Sequence, residues 1–368
     1  MNSIYRQFSA DFKECPAHIG VWPGATSNSR FRRLRCWMLT LAVLLCGSGD
    51  SKGRMTGDGA LGFVPLRSES PLQQLRFGMQ HRPPFVLAEG ETAVYFEETW
   101  KNMWMHRTGE YLMDAEVHTL ASGLYHGLAE GLEVSVEIPV RYISGGILDG
   151  FIEGFHKAVG LGNQGREDFP RNDMVFAVNL TGKESGWSAA AEGQRGWNLG
   201  NTVVGLSLRL KHLEQIGVDA IATLNVKLPT GTRTEFFGGQ AADYGLALSL
   251  GKKLGHRLHA YGCAGLVLYG QHRMIGVELN RWHRSGLLAL EYHPEKSGHS
   301  AVFQVLAENG VAREFSEFRN GTYEAVVGYK YLASPVTLIE IGLLENMFFH
   351  DNSPDLGLHV GVIRLLRR

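Results

Sequence analysis

Leu132-Glu133-Val134-Ser135-Val136-Glu137-Ile138-Pro139-Val140-Arg141 is the stretch whose reading decides the fold. Successive side chains of an extended strand point to opposite faces. Leu132, Val134, Val136, Ile138 and Val140 therefore line one face, and Glu133, Ser135, Glu137 and Arg141 the other. A strand of this kind separates an apolar medium from a polar one. The pattern returns in Val204, Leu206, Leu208 and Leu210 against Gly205, Ser207, Arg209 and Lys211. It returns again in Ala222 to Leu228, in Tyr244 to Gly251 and in Tyr323 to Tyr331. Segments of roughly 9 to 11 residues match a tilted strand that crosses a bilayer; strands of soluble sandwiches are usually shorter.

Connection lengths point the same way. From Val203 onward short and long connections alternate: 212–217 short, 229–243 long, 252–256 short, 270–284 long, 293–299 short, 308–321 long, 333–335 very short and 346–354 longer again. Short turns at one end and long loops at the other mark a bacterial outer-membrane barrel. The expected fold is all-β, a transmembrane antiparallel up-and-down β-barrel. Counting from Leu72 predicts about fourteen strands, or twelve if the first pair is irregular, with both termini on the short-turn side. Trp100, Trp104, Tyr142, Trp187, Trp197, Tyr244, Tyr269, Trp282, Tyr292 and Tyr331 fall near proposed strand ends, where interfacial girdles belong.

Upstream, Arg30, Arg32, Arg33 and Arg35 precede the apolar run Cys36 to Leu45 and then Gly47, Ser48, Gly49 and Asp50. Basic, apolar, small is the order of a signal peptide, and the run is about half the ~20 residues of a spanning helix. The expected organisation is a removable leader at 1–49 with an unusually long n-region, an N-terminal segment at 50–71, and a barrel at 72–368 with an insertion at 145–172. Loss of the leader removes six Lys/Arg and two acids and takes the net charge from −1 to −5. Cys15 and Cys36 leave with it and Cys263 sits in a strand, so no disulfide network is expected. Val43-Leu44-Leu45-Cys46-Gly47 resembles a lipobox, but Leu45 stands where a small residue belongs. With 20% charged residues and near-neutral balance, neither a polybasic nucleic-acid surface nor an acidic disordered tail is indicated.

One segment breaks the period of two. Ile147, Leu148, Phe151, Ile152, Phe155 and Val159 recur at helical spacing, with Asp149, Glu153, His156 and Lys157 on the other side. The prediction is one amphipathic helix, placed in the lumen, on the bilayer interface or across a rim. Gly146-Ile147-Leu148-Asp149-Gly150-Phe151-Ile152-Glu153-Gly154-Phe155-His156, followed by Arg166-Glu167-Asp168-Phe169-Pro170-Arg171-Asn172, resembles the signature of the bacterial domain-of-unknown-function family numbered 3187. The resemblance runs from about Leu72 to the C-terminus and implies an outer-membrane barrel of unestablished activity. Lys227-Leu228-Pro229-Thr230-Gly231 with Gly238-Gly239 is similar to barrels associated with aromatic-compound degradation. The chain departs from the usual terminal aromatic of such barrels by ending in Arg367-Arg368.

For chemistry, Asp149, Glu153 and His156 share a helix face, and Glu-x-x-His spacing can ligate a metal. The plainer reading is a solvated face with a Glu153 to Lys157 pair. Asp114, Glu116 and His118 on one strand, with Glu133, Glu137 and Arg141 on the next, could serve acid/base or nucleophilic work, but no Gly-x-Ser-x-Gly elbow accompanies them. The same groups, with Arg209, Lys211, Lys227 and Glu340, read more simply as a mixed-charge lumen. Such charges either set a transverse field that filters solutes or pair up and fill the bore. The sequence thus predicts a channel or carrier for small solutes, hydrophobic ones included. A lipid-modifying enzyme and a non-conducting structural barrel stand as the alternatives. No cofactor, metal or nucleic acid is called for; the expected partners are outer-membrane lipids, the barrel-assembly machinery and periplasmic chaperones.

Overall fold

Alternation becomes architecture by pairing edge to edge until the sheet closes. The computed structural model describes residues 60–68, 70–160, 165–179, 187–189, 195–232, 240–274, 277–313, 315–347 and 356–366. Residues 53–368 group as one compact unit, to which everything below refers. The leader, Cys15, Cys36, Cys46, Gly238-Gly239 and Arg367-Arg368 lie outside the described residues. The barrel strands are β1 (Thr92–Arg107), β2 (Tyr111–Ala129), β3 (Leu132–Ser144), β4 (Val203–Arg209), β5 (Asp219–Lys227) and β6 (Asp243–Lys253). Then come β7 (Leu258–Leu268), β8 (Trp282–Tyr292), β9 (His299–Glu308), β10 (Thr322–Ser334), β11 (Thr337–Asn346) and β12 (Leu356–Leu366).

Each strand pairs antiparallel with its neighbours, and β12 closes the ring on β1 from Thr92↔Leu366 to Asn102↔Leu356. Among the described residues, closure leaves no free edge within the ring itself. The ring holds twelve strands, the smaller of the two counts the sequence allows. The missing pair is the region after Leu72, which forms no wall strand. Pro83 and Pro84 interrupt it, and a proline lacks the N–H that a central ladder needs. Three short strands, Val175–Asn179, Trp187–Ala189 and Gly196–Leu199, extend the sheet beyond β2 and β3.

Thr92 and Leu366 place both ends of the wall on the side of the short turns, as in bacterial barrels. Barrels of this kind turn that side to the periplasm and the long loops to the cell exterior. Leu206, Leu246, Leu288, Phe303, Val327 and Leu343 project outward, with Leu288 73% exposed. So continuous an apolar belt faces hydrocarbon. Tyr142, Trp197, Tyr244, Trp282, Tyr292 and Tyr331 point outward near its margins, in keeping with their expected girdle role. Tyr269 does not: it turns into the lumen, is 1% exposed and donates its hydroxyl to the Phe77 carbonyl.

Candidate functional site in the barrel lumen

The lumen is filled by a part of the chain that precedes the first strand. Residues 60–88 enter at the periplasmic end, climb to the extracellular end, turn through the 3-10 turn Gln73–Leu75 and descend to meet β1. Near entry, Leu61 and Gly62 donate their backbone N–H groups to Glu291 (2.8 and 3.0 Å). Higher up, Val64 exchanges two 3.0 Å hydrogen bonds with the Gln304 amide, and Lys330 donates to the Phe63 carbonyl. At the top, Gln73 donates to Tyr269 and Arg76 to the Asn280 carbonyl, each at 2.7 Å. On the way down, His81 meets Ser285 at 2.9 Å, and Arg82 and the Leu87 N–H both reach Glu133. One isolated bridge, Leu66↔His81, ties the two arms together. Glycines on the wall make room for the hairpin: a Cβ on Gly245 would lie 2.2 Å from the Met79 sulfur.

The electrostatics are complementary. Arg67 lies 2.8 Å from Glu137, Arg82 lies 2.5 Å from Glu133, and Gln80 donates to Glu97 at 3.0 Å. The space left over is small. One cavity of about 80 Å³ touches Arg82, Phe85, Tyr125 and Glu133, and one of about 40 Å³ lies between Arg67, Glu97 and Arg141. Pockets that hold a small organic ligand are several times larger, so neither of these two cavities among the described residues has room for one.

At the extracellular mouth the closure is apolar. Leu72 and Leu75 of the hairpin tip pack with Met103, Met105, Tyr111, Met113, Val311, Phe315 and Phe318. Tyr111 stacks on Phe318 with ring centroids 4.9 Å apart. This cluster inverts the pattern on β1 and β2: here Met103, Met105, Met113, Ala115 and Val117 face inward, and the polar residues between them face out. Asp114, Glu116 and His118 are therefore not lumen residues, contrary to the sequence expectation. His118 stacks on the outward Trp100 (5.1 Å) and pairs with Glu98 (3.0 Å).

The helix explains that outer polar face. Helix α1 (Asp149–Val159) packs against the outside of the barrel, over β1 and β2. Glu116 accepts from the Trp100 indole (2.9 Å), from Ile147 N–H (2.6 Å) and from Leu148 N–H, which puts a carboxylate at the positive end of the helix. Gly146 makes the approach with φ +74, where a Cβ would collide with Glu116. Asp149, 1% exposed, accepts from Arg166 (2.6 Å), from Asn102 (3.2 Å) and from Asn172 N–H (2.6 Å). Arg166 lies over Trp104 at 5.0 Å and donates to Asn102 at 2.7 Å. Gly160, in the left-handed conformation at φ 77, ends the helix. The expected solvated face is thus turned to the wall: Asp149, Glu153 and His156 are buried, and Glu153 pairs with Arg171 instead of Lys157. The apolar Ile147, Phe151 and Phe155 are 74%, 61% and 41% exposed.

Of the remaining expected residues, Glu133, Glu137 and Arg141 face inward on β3. Lys227 faces inward and pairs with Asp243 at 2.6 Å. Glu340 is buried between Lys330 (3.0 Å) and His359 (3.5 Å). Arg209 ends β4 at the periplasmic rim, 3.8 Å from Glu214. Lys211 is not in the lumen: it opens the short helical turn Lys211–Glu214 outside and pairs with Glu130 at 2.7 Å. Sequence reasoning missed Arg67, Arg82, Tyr95, Tyr125 and Glu291. The available signal was negative: a proline-containing stretch without alternation, Pro65 to Pro84, set before the first clean strand.

A model of the family described as a protein of unknown function (DUF3187) matches residues 55–364. No curated protein matches the sequence. Among solved structures, the COG4313 outer membrane channel from Pseudomonas putida F1 superposes with a TM-score of 0.51 at 13% identity, over 76% of this chain and 97% of that one. The KdgM porin gives 0.40 at 10% identity over 75% and 99%, and the toluene transporter TodX of Pseudomonas putida 0.36 at 7% over 75% and 89%. The first of these likenesses shows the shared fold, that of an outer-membrane barrel.

Proposed function

This chain belongs to the DUF3187 family, and from that premise we propose that it is an outer-membrane channel or carrier for small solutes, closed in this structure by its own N-terminal hairpin. The observation that carries the reading is how the hairpin is held. It joins the wall through side chains and isolated hydrogen bonds, not through a strand ladder, so it can leave without opening the barrel seam. The methionine-rich cluster at the mouth supports passage of hydrophobic solutes, because thioether side chains repack around varied shapes. Export on the leader at 1–49 and insertion by the barrel-assembly machinery with periplasmic chaperones belong to the same reading; the basic, apolar, small order of residues 30–50 supports the first.

Double substitution Arg67→Gln with Arg82→Gln tests it in planar bilayers. Each charge-assisted bond contributes about 1.5–3 kcal/mol, and 1.4 kcal/mol is a factor of ten in an equilibrium. The variant should show an open probability at least tenfold above that of the unsubstituted protein, with stable conductance steps. A folded, inserted and silent double variant would sink the channel reading and favour a structural barrel.

A further inference from the structure

The two arginines do not rest on bare carboxylates. Arg82 has its guanidinium carbon 4.1 Å from the centre of the Tyr125 ring while one nitrogen lies 2.5 Å from Glu133. Tyr125 stacks on Tyr95, with centroids 4.8 Å apart and planes 22° from parallel. The Tyr95 hydroxyl donates to Glu137 at 2.9 Å, and Glu137 holds Arg67 at 2.8 Å. Tyr95, Tyr125, Glu133 and Glu137 all belong to β1, β2 and β3, so the receiving half of each contact stays in the wall when the hairpin leaves. An aromatic face beside a carboxylate recognises planar organic cations, the ring through its quadrupole and the carboxylate through paired hydrogen bonds. Independently, Glu97, one inward position above Tyr95 and 5% exposed, has a carboxylate oxygen with no hydrogen-bond partner, beside the cavity at Arg67.

We propose that Tyr95, Tyr125, Glu133 and Glu137 form a binding site for small organic cations, guanidinium or alkylammonium, and that the hairpin occupies it with Arg67 and Arg82 as internal ligands. A cationic solute competes with the hairpin for the wall and thereby favours the open state. That consequence rests on the channel reading; the binding itself does not.

The test uses the full chain carrying Arg82→Ala, refolded in detergent, with a heat-dependent gel shift to confirm the barrel. It is titrated by calorimetry with n-butylguanidinium and with its neutral isostere n-butylurea. The site predicts at least tenfold tighter binding of the cation, loss of that preference in Arg82→Ala/Glu133→Gln, and several-fold weakening in Arg82→Ala/Tyr125→Leu. Equal binding of the two probes, or a preference indifferent to Glu133→Gln, overturns the proposal. Should Arg82→Ala not fold, Arg67→Ala with and without Glu137→Gln reads the other half of the site against the same criteria. In bilayers, n-butylguanidinium should raise the opening of the unsubstituted protein and n-butylurea should not. Cation binding to a barrel that never conducts keeps the site and overturns the channel reading; conduction without cation preference does the reverse.

Discussion

Replacing Glu133 with leucine frees the hairpin. Glu133 is 1% exposed and receives both Arg82 and the Leu87 N–H, so leucine strands a guanidinium that is itself only 15% exposed. Removing one partner of a buried ion pair costs about 3–5 kcal/mol, because the remaining charge is left desolvated. The barrel need not unfold to escape that penalty. Arg82 can return to water by leaving the lumen, which shifts the closed-to-open ratio by about two to three orders of magnitude at 1.4 kcal/mol per tenfold. Hydrogen exchange at the amides of Leu61, Gly62 and Val64, and trypsin cleavage after Arg67 and Arg76, should rise accordingly while the heat-shifted band persists. Unchanged protection in a folded Glu133→Leu barrel would mean that the remaining contacts, among them those to Glu291, Gln304 and Glu137 and the packing at Leu72 and Leu75, hold the segment without Arg82.

The second large effect lies outside the barrel. Asp149→Ala removes the acceptor of Arg166, of Asn102 and of Asn172 N–H at once. Arg166 is 3% exposed, so the same uncompensated charge arises beneath α1. We expect α1 to detach as a local unit: its amide exchange should accelerate about 10²–10³-fold, in line with a loss of about 3–5 kcal/mol. The wall strands should keep their protection. If exchange quickens equally in β1 and β2, the helix and the wall unfold as one unit and the helix is structural to the barrel. Phe151→Ser, by contrast, touches none of these contacts and leaves the polar cluster in place.

These two sites also mark how far sequence alone can reach. The wall was legible because lipid imposes one rule on every residue that faces it: Leu206, Leu224, Leu246 and Leu288 must be apolar, so period two survives along each strand. The interior obeys no such rule. Where the hairpin tip fills the mouth, Met103, Met105 and Met113 face inward, and Glu116 turns out to cap α1; alternation remains but its sense reverses, which is why Asp114, Glu116 and His118 read as lumen residues. A period of two says that the faces differ, and says nothing about which face is inside once both are covered by protein. The helix itself was plain from its 3.6 spacing. Its orientation was not, because an amphipathic pattern in water buries its apolar stripe, whereas a helix against a polar patch of a membrane wall buries its polar one. The hairpin has no period to detect; its prolines announce only that it is not a strand.

If residues 60–88 close the lumen, locking them in place must keep it shut. A Cβ on Gly265 would lie 3.3 Å from the Met79 Cβ, close to the separation that a disulfide spans. Met79→Cys with Gly265→Cys, in a Cys263→Ser background, should be silent in planar bilayers when oxidised and should open with stable steps when reductant is added. Equal conductance in the oxidised and reduced forms would show that the hairpin is not the gate, because solutes would then pass a lumen whose hairpin cannot move.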